Sequence, residues 1–311
     1  MSFEAGPLSL MICPLRNPLP DDFLARFAAN SGGRLDDVKD EPVLGWVSGR
    51  HLLESEINES TCICGGHVSM NLRKVERKIP AQLLNAMCRR DELAWSLAND
   101  QPIVPRKKRK EIKEEAIERM LPKMPPTISA TAFAIDRTRN ILYFAGTSLA
   151  QFDAFVVEFT RALGMDCEPV PISVEEWMLE LFQKSANDLP DISFTDKKGA
   201  GDEPQPGRDF LTWLWFETEQ NGGRLHHDEF GDFVLSLEGP LTLAFSPGKA
   251  KDPELAGSGE SVIKKGNPML SAEAKASLSG GKKLRKAKLM LARGDADKCT
   301  FAFDADTFAL G

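Results

Sequence analysis

Apolar and polar positions along the chain first follow a short, strand-like period and then a longer, helical one. LSLMICPL (8–15) reads as a strand and DDFLARFAAN (21–30) as a short helix that Asp21 or Asp22 can cap, ending at SGG. VLGWVS (43–48) and TCICGGHVSMNLRKVERKI (61–79) read as further strands. In the second, Leu72, Lys74, Glu76 and Lys78 share one side, with Arg73, Val75, Arg77 and Ile79 on the other. From Pro80 the period lengthens, and Leu83, Leu84, Met87, Leu93 and Trp95 recur at helical spacing until Pro102 and Pro105 stop the helix. A second helix runs from about Arg106 to Leu121 and meets LPKMPP.

Beyond the prolines, TISATAFAID (127–136) and ILYFAGT (141–147) read as a hairpin around RTRN. A helix follows at 148–164, with Ser148 as cap and Gly164 as stop. SVEEWMLELFQKSA (173–186) is amphipathic, with Val174, Trp177, Leu181 and Phe182 on one face. The stretch 191–207 has the Gly, Pro and Asp content of a linker. RDFLTWLWFETEQ (208–220) leaves no polar face between Phe210 and Phe216, so other elements, a second subunit or a ligand must cover it. The remainder reads as strands DFVLSLEG and PLTLAFS, a mobile-looking segment 247–268, a short Ala-rich helix, and strands KKLRKAKLMLAR and KCTFAFDADTFAL around the turn GDAD. This order predicts an α+β protein with mixed or antiparallel sheets, not a doubly wound one.

Charge changes the picture. The chain has 311 residues, 42% hydrophobic, and a formal net charge of −7. Residues 61–139 nevertheless carry 16 basic against 9 acidic side chains, and residues 261–311 carry 10 against 5. Residues 140–260 carry 8 against 22. An acidic chain with two basic blocks can still bind a polyanion if folding exposes those blocks. No window is long and apolar enough to span a bilayer, and the N-terminal stretch lacks a basic segment leading into a hydrophobic one, which predicts a cytoplasmic protein. Six cysteines, mostly in apolar segments, predict buried thiols, not a disulfide framework.

Enzyme signatures are sparse. Cys62, Cys64 and His67 have metal-ligand chemistry without the paired spacing of a structural zinc site, and packed thiols explain them as well. His226 and His227 fall in NGGRLHHDEFGD, which reads as a surface turn. Asp304 and Asp306 share a strand face, as magnesium-binding carboxylates of nucleases do; a solvated strand end is the plainer reading. No phosphate-cradle or nucleophile motif occurs, and neither a catalytic residue, a cofactor nor a bound metal is expected.

The run RKKRK (106–110) stands out. Projected at about 100° per residue, Arg106, Arg109, Lys110 and Lys113 fall on the same broad side as Ile112, Ala116, Ile117, Met120 and Leu121, with Glu111, Glu114, Glu115 and Glu118 behind. Positive charge at a helix N-terminus opposes the dipole by about 0.3–1 kcal/mol per exposed charge. Three readings stay open: a solvated helix end, a phosphate contact and a targeting signal.

LGWV (44–47), ERKIP (76–80), MLP (120–122), AIDRTRNILYFAG (134–146), GRDFLTWLW (207–215) and FDADTFAL (303–310), in that order, resemble the bacterial RdgC family of recombination-associated proteins. The resemblance implies a horseshoe-shaped α+β subunit whose homodimer closes into a ring around double-stranded DNA. It also implies nucleoid association, little sequence preference, restraint of RecA and no established enzyme activity, although the family carries an old exonuclease label. The implied domains are 1–79 with 123–170 as a central α+β domain, 80–122 as a helical tip and 171–311 as a base. The implied DNA-contacting residues are Arg73, Lys74, Arg77, Lys78, Arg106, Lys107, Lys108, Arg109, Lys110, Lys282, Lys283, Arg285, Lys286 and Lys288. Met120, Met124, Pro125, Trp213 and Trp215 are the expected dimer contacts. Met124 and Pro125 stand where the family pattern has an aromatic residue after LP, so tip closure requires different packing.

Overall fold

The computed structural model describes residues 9–35, 38, 41–183, 185, 188–189, 192–194, 205–246, 259–264, 270–294 and 297–311. Most of the linker and of the mobile-looking segment expected at 191–207 and 247–268 lies outside these residues. The elements are β1 (Leu10–Pro14), α1 (Phe23–Ala29), β2 (Val43–Ser48), α2 (Glu59–Cys62), β3 (Ile63–Cys64), β4 (His67–Arg77), α3 (Ala81–Asn99) and α4 (Arg106–Met120). They continue with β5 (Pro126–Asp136), β6 (Ile141–Phe144), α5 (Leu149–Leu163), α6 (Val174–Phe182), α7 (Pro206–Asn221), β7 (Arg224–His227) and β8 (Gly231–Ala244). The chain ends with β9 (Glu260–Ile263), α8 (Ala272–Ser279), β10 (Lys283–Arg293), β11 (Asp297–Asp304) and β12 (Ala309–Leu310). The fold is α+β with antiparallel strand pairing, as the sequence predicts. Its described residues divide into two compact units, one within 17–139 and 155–167, the other within 9–16, 140–154 and 168–311.

In the first unit β4 lies between β2 and β5, with Trp46 opposite Leu72 and Leu72 opposite Thr131. Trp46 and Phe133 on the sheet meet Phe27 of α1 and Phe155 and Phe159 of α5. The Phe27–Trp46 and Phe133–Phe155 centroids are 4.8 and 5.1 Å apart in edge-to-face geometry, and all five rings are fully buried. Such pairs add about 0.5–1.5 kcal/mol each beyond area burial, so this cluster fastens α1 and α5 to the sheet. Asp22 takes the N-cap position of α1 but makes no capping bond, and pairs instead with Arg26 at 2.8 Å. The expected strand 61–79 is broken. Asn58 and Thr61 form a reciprocal capping box that starts α2, and Gly65 and Gly66, at φ +57° and +83°, turn the chain between β3 and β4.

Helices α3 and α4 pack as a hairpin closed by an Arg119–Asp91 ion pair at 2.7 Å. Ile112 and Ala116 of α4 are buried, while α3 buries no residue fully. The hairpin's far end is the 100–105 connection, flanked by Leu97 (84% exposed) and containing Ile103 (73% exposed). Met120, Met124 and Pro125 instead lie where the chain returns to β5, at the hairpin's foot. They are therefore not at its free end.

The second unit is an antiparallel sheet in the order β6-β1-β12-β11-β10-β8-β7, with β9 also paired to β8. Leu211, Leu214 and Trp215 of α7 pack into a core with Leu237, Leu241, Leu284, Leu289 and Phe303 of the sheet and Leu278 of α8. One face of α7 is thus buried, which resolves its all-round apolar sequence: Trp213 points away and is 39% exposed. Two readings change here. DFVLSLEG and PLTLAFS form the single strand β8, and RLHH is the strand β7 paired to it, not a turn.

Candidate nucleic-acid interface

The three cations of β4, with Lys78 just after it, separate by strand parity into two roles. Arg73 is 3% exposed, and its guanidinium donates to the Gly33 carbonyl at 2.5 Å and the Leu52 carbonyl at 2.9 Å. Burial lowers its pKa from the ordinary arginine value. Gly32 makes this passage possible, because a Cβ there would lie 2.5 Å from Arg73 Nη2. Arg77 donates to the carbonyls of Val38 (2.7 Å) and Met124. Both arginines fasten connecting segments to the sheet and are removed from the exposed cationic set. On the other side Glu76 sits between Lys74, at 2.9 Å, and Lys78, and these two ammonium groups hold its carboxyl below the usual range. Lys74 and Lys78 stay accessible but are partly neutralised.

The basic run forms the first turns of α4. Pro105 precedes it, no side chain caps the helix, and no acidic residue lies in its first turn. Lys108 pairs with Glu111 at 3.1 Å, and Lys110 with Glu114 at 3.5 Å. Arg106, Lys107, Arg109 and Lys113 are exposed and have no carboxylate partner among the described residues. Arg106, Arg109 and Lys113, spaced i, i+3 and i+7, form one stripe along about 10 Å of helix, beside the buried Ile112–Ala116 face. The helical projection anticipates Lys113, which the family carry-over omits.

In the second unit the C-terminal cations also divide. Lys282 is 8% exposed; its ammonium donates to Ser261 Oγ at 2.7 Å and lies 5.2 Å from the Phe245 ring centroid. Lys283 pairs with the buried Asp209 at 2.7 Å. Arg285 lies 3.5 Å from Asp304 and 3.0 Å from Asp306. These three serve the fold. Lys286 is exposed, and Lys288 is half-exposed, 3.7 Å from Glu238. Antiparallel register places Lys288 opposite Ala302 and Ala292 opposite Lys298, so Lys286, Lys288 and Lys298 share one face of the β10–β11 pair. Lys298 was legible only once the register was known.

The remaining expected residues are accounted for one by one. Trp215 is 1% exposed in the core and donates from Nε1 to Glu219 at 2.9 Å, so it is a packing residue and not an exposed dimer contact. Trp213 is accessible, with Phe210 5.9 Å away. Asp306 is gripped by Arg208, and Asp304 accepts from the Asp306 backbone N–H at 3.0 Å. Cys62 is buried, which raises its thiol pKa, while Cys64 is exposed and His67 lies 3.7 Å from Asp136. Among the described residues no three His, Cys, Asp or Glu side chains are grouped to hold a metal ion. No helix among them is long and apolar enough to cross a membrane.

The geometry defines an α+β protein with an exposed cationic surface in each of its two units. The chain belongs to the RdgC family: the family model described as "Putative exonuclease, RdgC" matches residues 23–179, about half of the chain. It is thus a recombination-associated protein in general terms. Among curated proteins none matches the chain.

Proposed function

We propose that the protein binds double-stranded DNA without sequence preference, as a homodimer, and tempers homologous recombination by occupying duplex that RecA would otherwise engage. The observation that carries this reading is the Arg106–Arg109–Lys113 stripe at an uncapped helix N-terminus. Three cations without internal partners, on about 10 Å of axis, suit the roughly 3.4 Å axial spacing of phosphates along one strand. Lys286, Lys288 and Lys298 offer a second cationic face on a sheet. Cations that meet phosphates position a protein without reading bases, which accords with the absence of a base-reading motif in the sequence. Binding of this kind places the protein at the nucleoid.

The family description names an exonuclease, and Asp304 and Asp306 are the carboxylate pair that the sequence offers for such chemistry. Their engagement by Arg208 and Arg285 favours a structural role, and we propose that the protein is not a nuclease. The test combines fluorescence anisotropy on 30-mer duplexes of unrelated sequence with incubation of end-labelled duplex in magnesium or manganese. Equal affinities and intact DNA support the proposal. Absent binding, or shortened DNA, overturns it.

A further inference from the structure

Separately from any DNA contact, we propose that a cleft in the second unit is a receptor for one alkylammonium or guanidinium head group. The cleft has a volume of about 240 Å³ and opens between the starts of α6 and α7 and the turn after β11. Glu175, Gln205, Arg208 and Asp306 line it. Its walls are built, not incidental: the Val174 N–H donates to the Ala305 carbonyl at 3.1 Å, and a Ser173–Glu176 capping box fixes the start of α6.

Two groups in this wall lack partners among the described residues. Gln205 is 7% exposed, and its Oε1 accepts no hydrogen bond. An unmet buried acceptor of this kind costs about 1–3 kcal/mol. Glu175 is half-buried and makes no side-chain hydrogen bond or ion pair among the described residues. Both are acceptors, so the missing group is a donor. The one cation in the wall cannot supply it, because Arg208 gives Nε and Nη2 to Asp306 and Nη1 to the Phe245 carbonyl at 3.0 Å. Burial first, and then the carboxyls of Glu176, Asp209 and Asp306, push the Glu175 pKa up against the opposing pull of Arg208. A cation brought into the cleft relieves that repulsion and satisfies both acceptors.

Such a head group occurs on a free polyamine and on a lysine or arginine side chain of another protein. Isothermal titration of the full chain with n-butylammonium and methylguanidinium, against matched sodium chloride, reads the head group itself. Putrescine and a blocked Gly-Lys-Gly peptide then distinguish the two sources. Glu175→Gln keeps the shape and removes the charge, and its melting curve without ligand reports whether the fold is intact. The expected result is saturable one-site binding that weakens about tenfold or more in the folded E175Q variant. Gln205→Leu, which removes the orphan acceptor, is expected to weaken it as well. No saturable heat with either head group, or binding unchanged in both folded variants, overturns the assignment.

Discussion

Arg208 grips Asp306 through two parallel hydrogen bonds, Nε to Oδ1 at 2.9 Å and Nη2 to Oδ2 at 2.8 Å. The arginine side chain is 6% exposed and the aspartate 31%, so one partner of the pair is wholly desolvated. Its Nη1 also closes off the carbonyls of Ala244 and Phe245, tying the end of β8 to the start of α7. Arg208→Ala leaves those carbonyls unmet and Asp306 held by Arg285 alone. It is expected to destabilise the protein by about 2–4 kcal/mol, read as a lower midpoint in urea unfolding. An unchanged midpoint contradicts this account of the pair.

Trp215 separates core from interface. Truncating a fully buried tryptophan to alanine costs about 3–5 kcal/mol, and because its neighbours belong to the same unit the loss does not depend on protein concentration. Trp213→Ala is expected to leave the unfolding midpoint nearly unchanged. A Trp215→Ala loss that vanishes at high protein concentration would return that residue to a subunit interface.

Two carboxyls give opposite pH signatures. Lys78 and Lys74 hold the Glu76 carboxyl below its ordinary 4.5, so its contribution to stability is present above that value and fades as pH falls through the lower folded value. Glu175 is raised by burial and by neighbouring carboxyls, so it weakens the fold as pH climbs from 4.5 through its raised value. Melting temperatures across pH 2–8 should therefore show a flatter acid limb in Glu76→Gln. Glu175→Gln should raise stability near neutrality and not at strongly acid pH. The reverse assignment of the two effects contradicts the burial argument.

The sequence carried the fold wherever period and punctuation agreed. Gly164 ends α5 at φ +99°, and the change of period at Pro80 marks the start of the α3–α4 hairpin. It failed where a residue's partner is distant. Alternation placed Arg73 and Arg77 on one side of β4, but only the fold shows that Gly33, Leu52, Val38 and Met124 receive them. Lys282 and Lys283 look like their neighbours Lys286 and Lys288, yet Ser261 and Asp209 hold the first pair inside. The hairpin's free end was not marked in the sequence, since MLP closes α4 at its foot while the far connection carries no motif. The stripe on α4 was nearly legible, since i, i+3, i+7 spacing is a property of the helix alone.

The central claim rests on the stripe, and salt dependence tests it most directly. Binding of a 30-mer duplex by the unaltered protein and by the Arg106→Ala/Arg109→Ala/Lys113→Ala variant should be measured across a salt series. Each lost phosphate contact removes about 0.9 from the log–log slope, so the variant's slope should be shallower by about 2–3. Its melting temperature should hold or rise, because charge opposing the helix dipole has been removed. Weaker binding with a shallower slope in a folded variant is the predicted result. Identical slopes, or no binding by the unaltered protein even at low salt, would contradict the account.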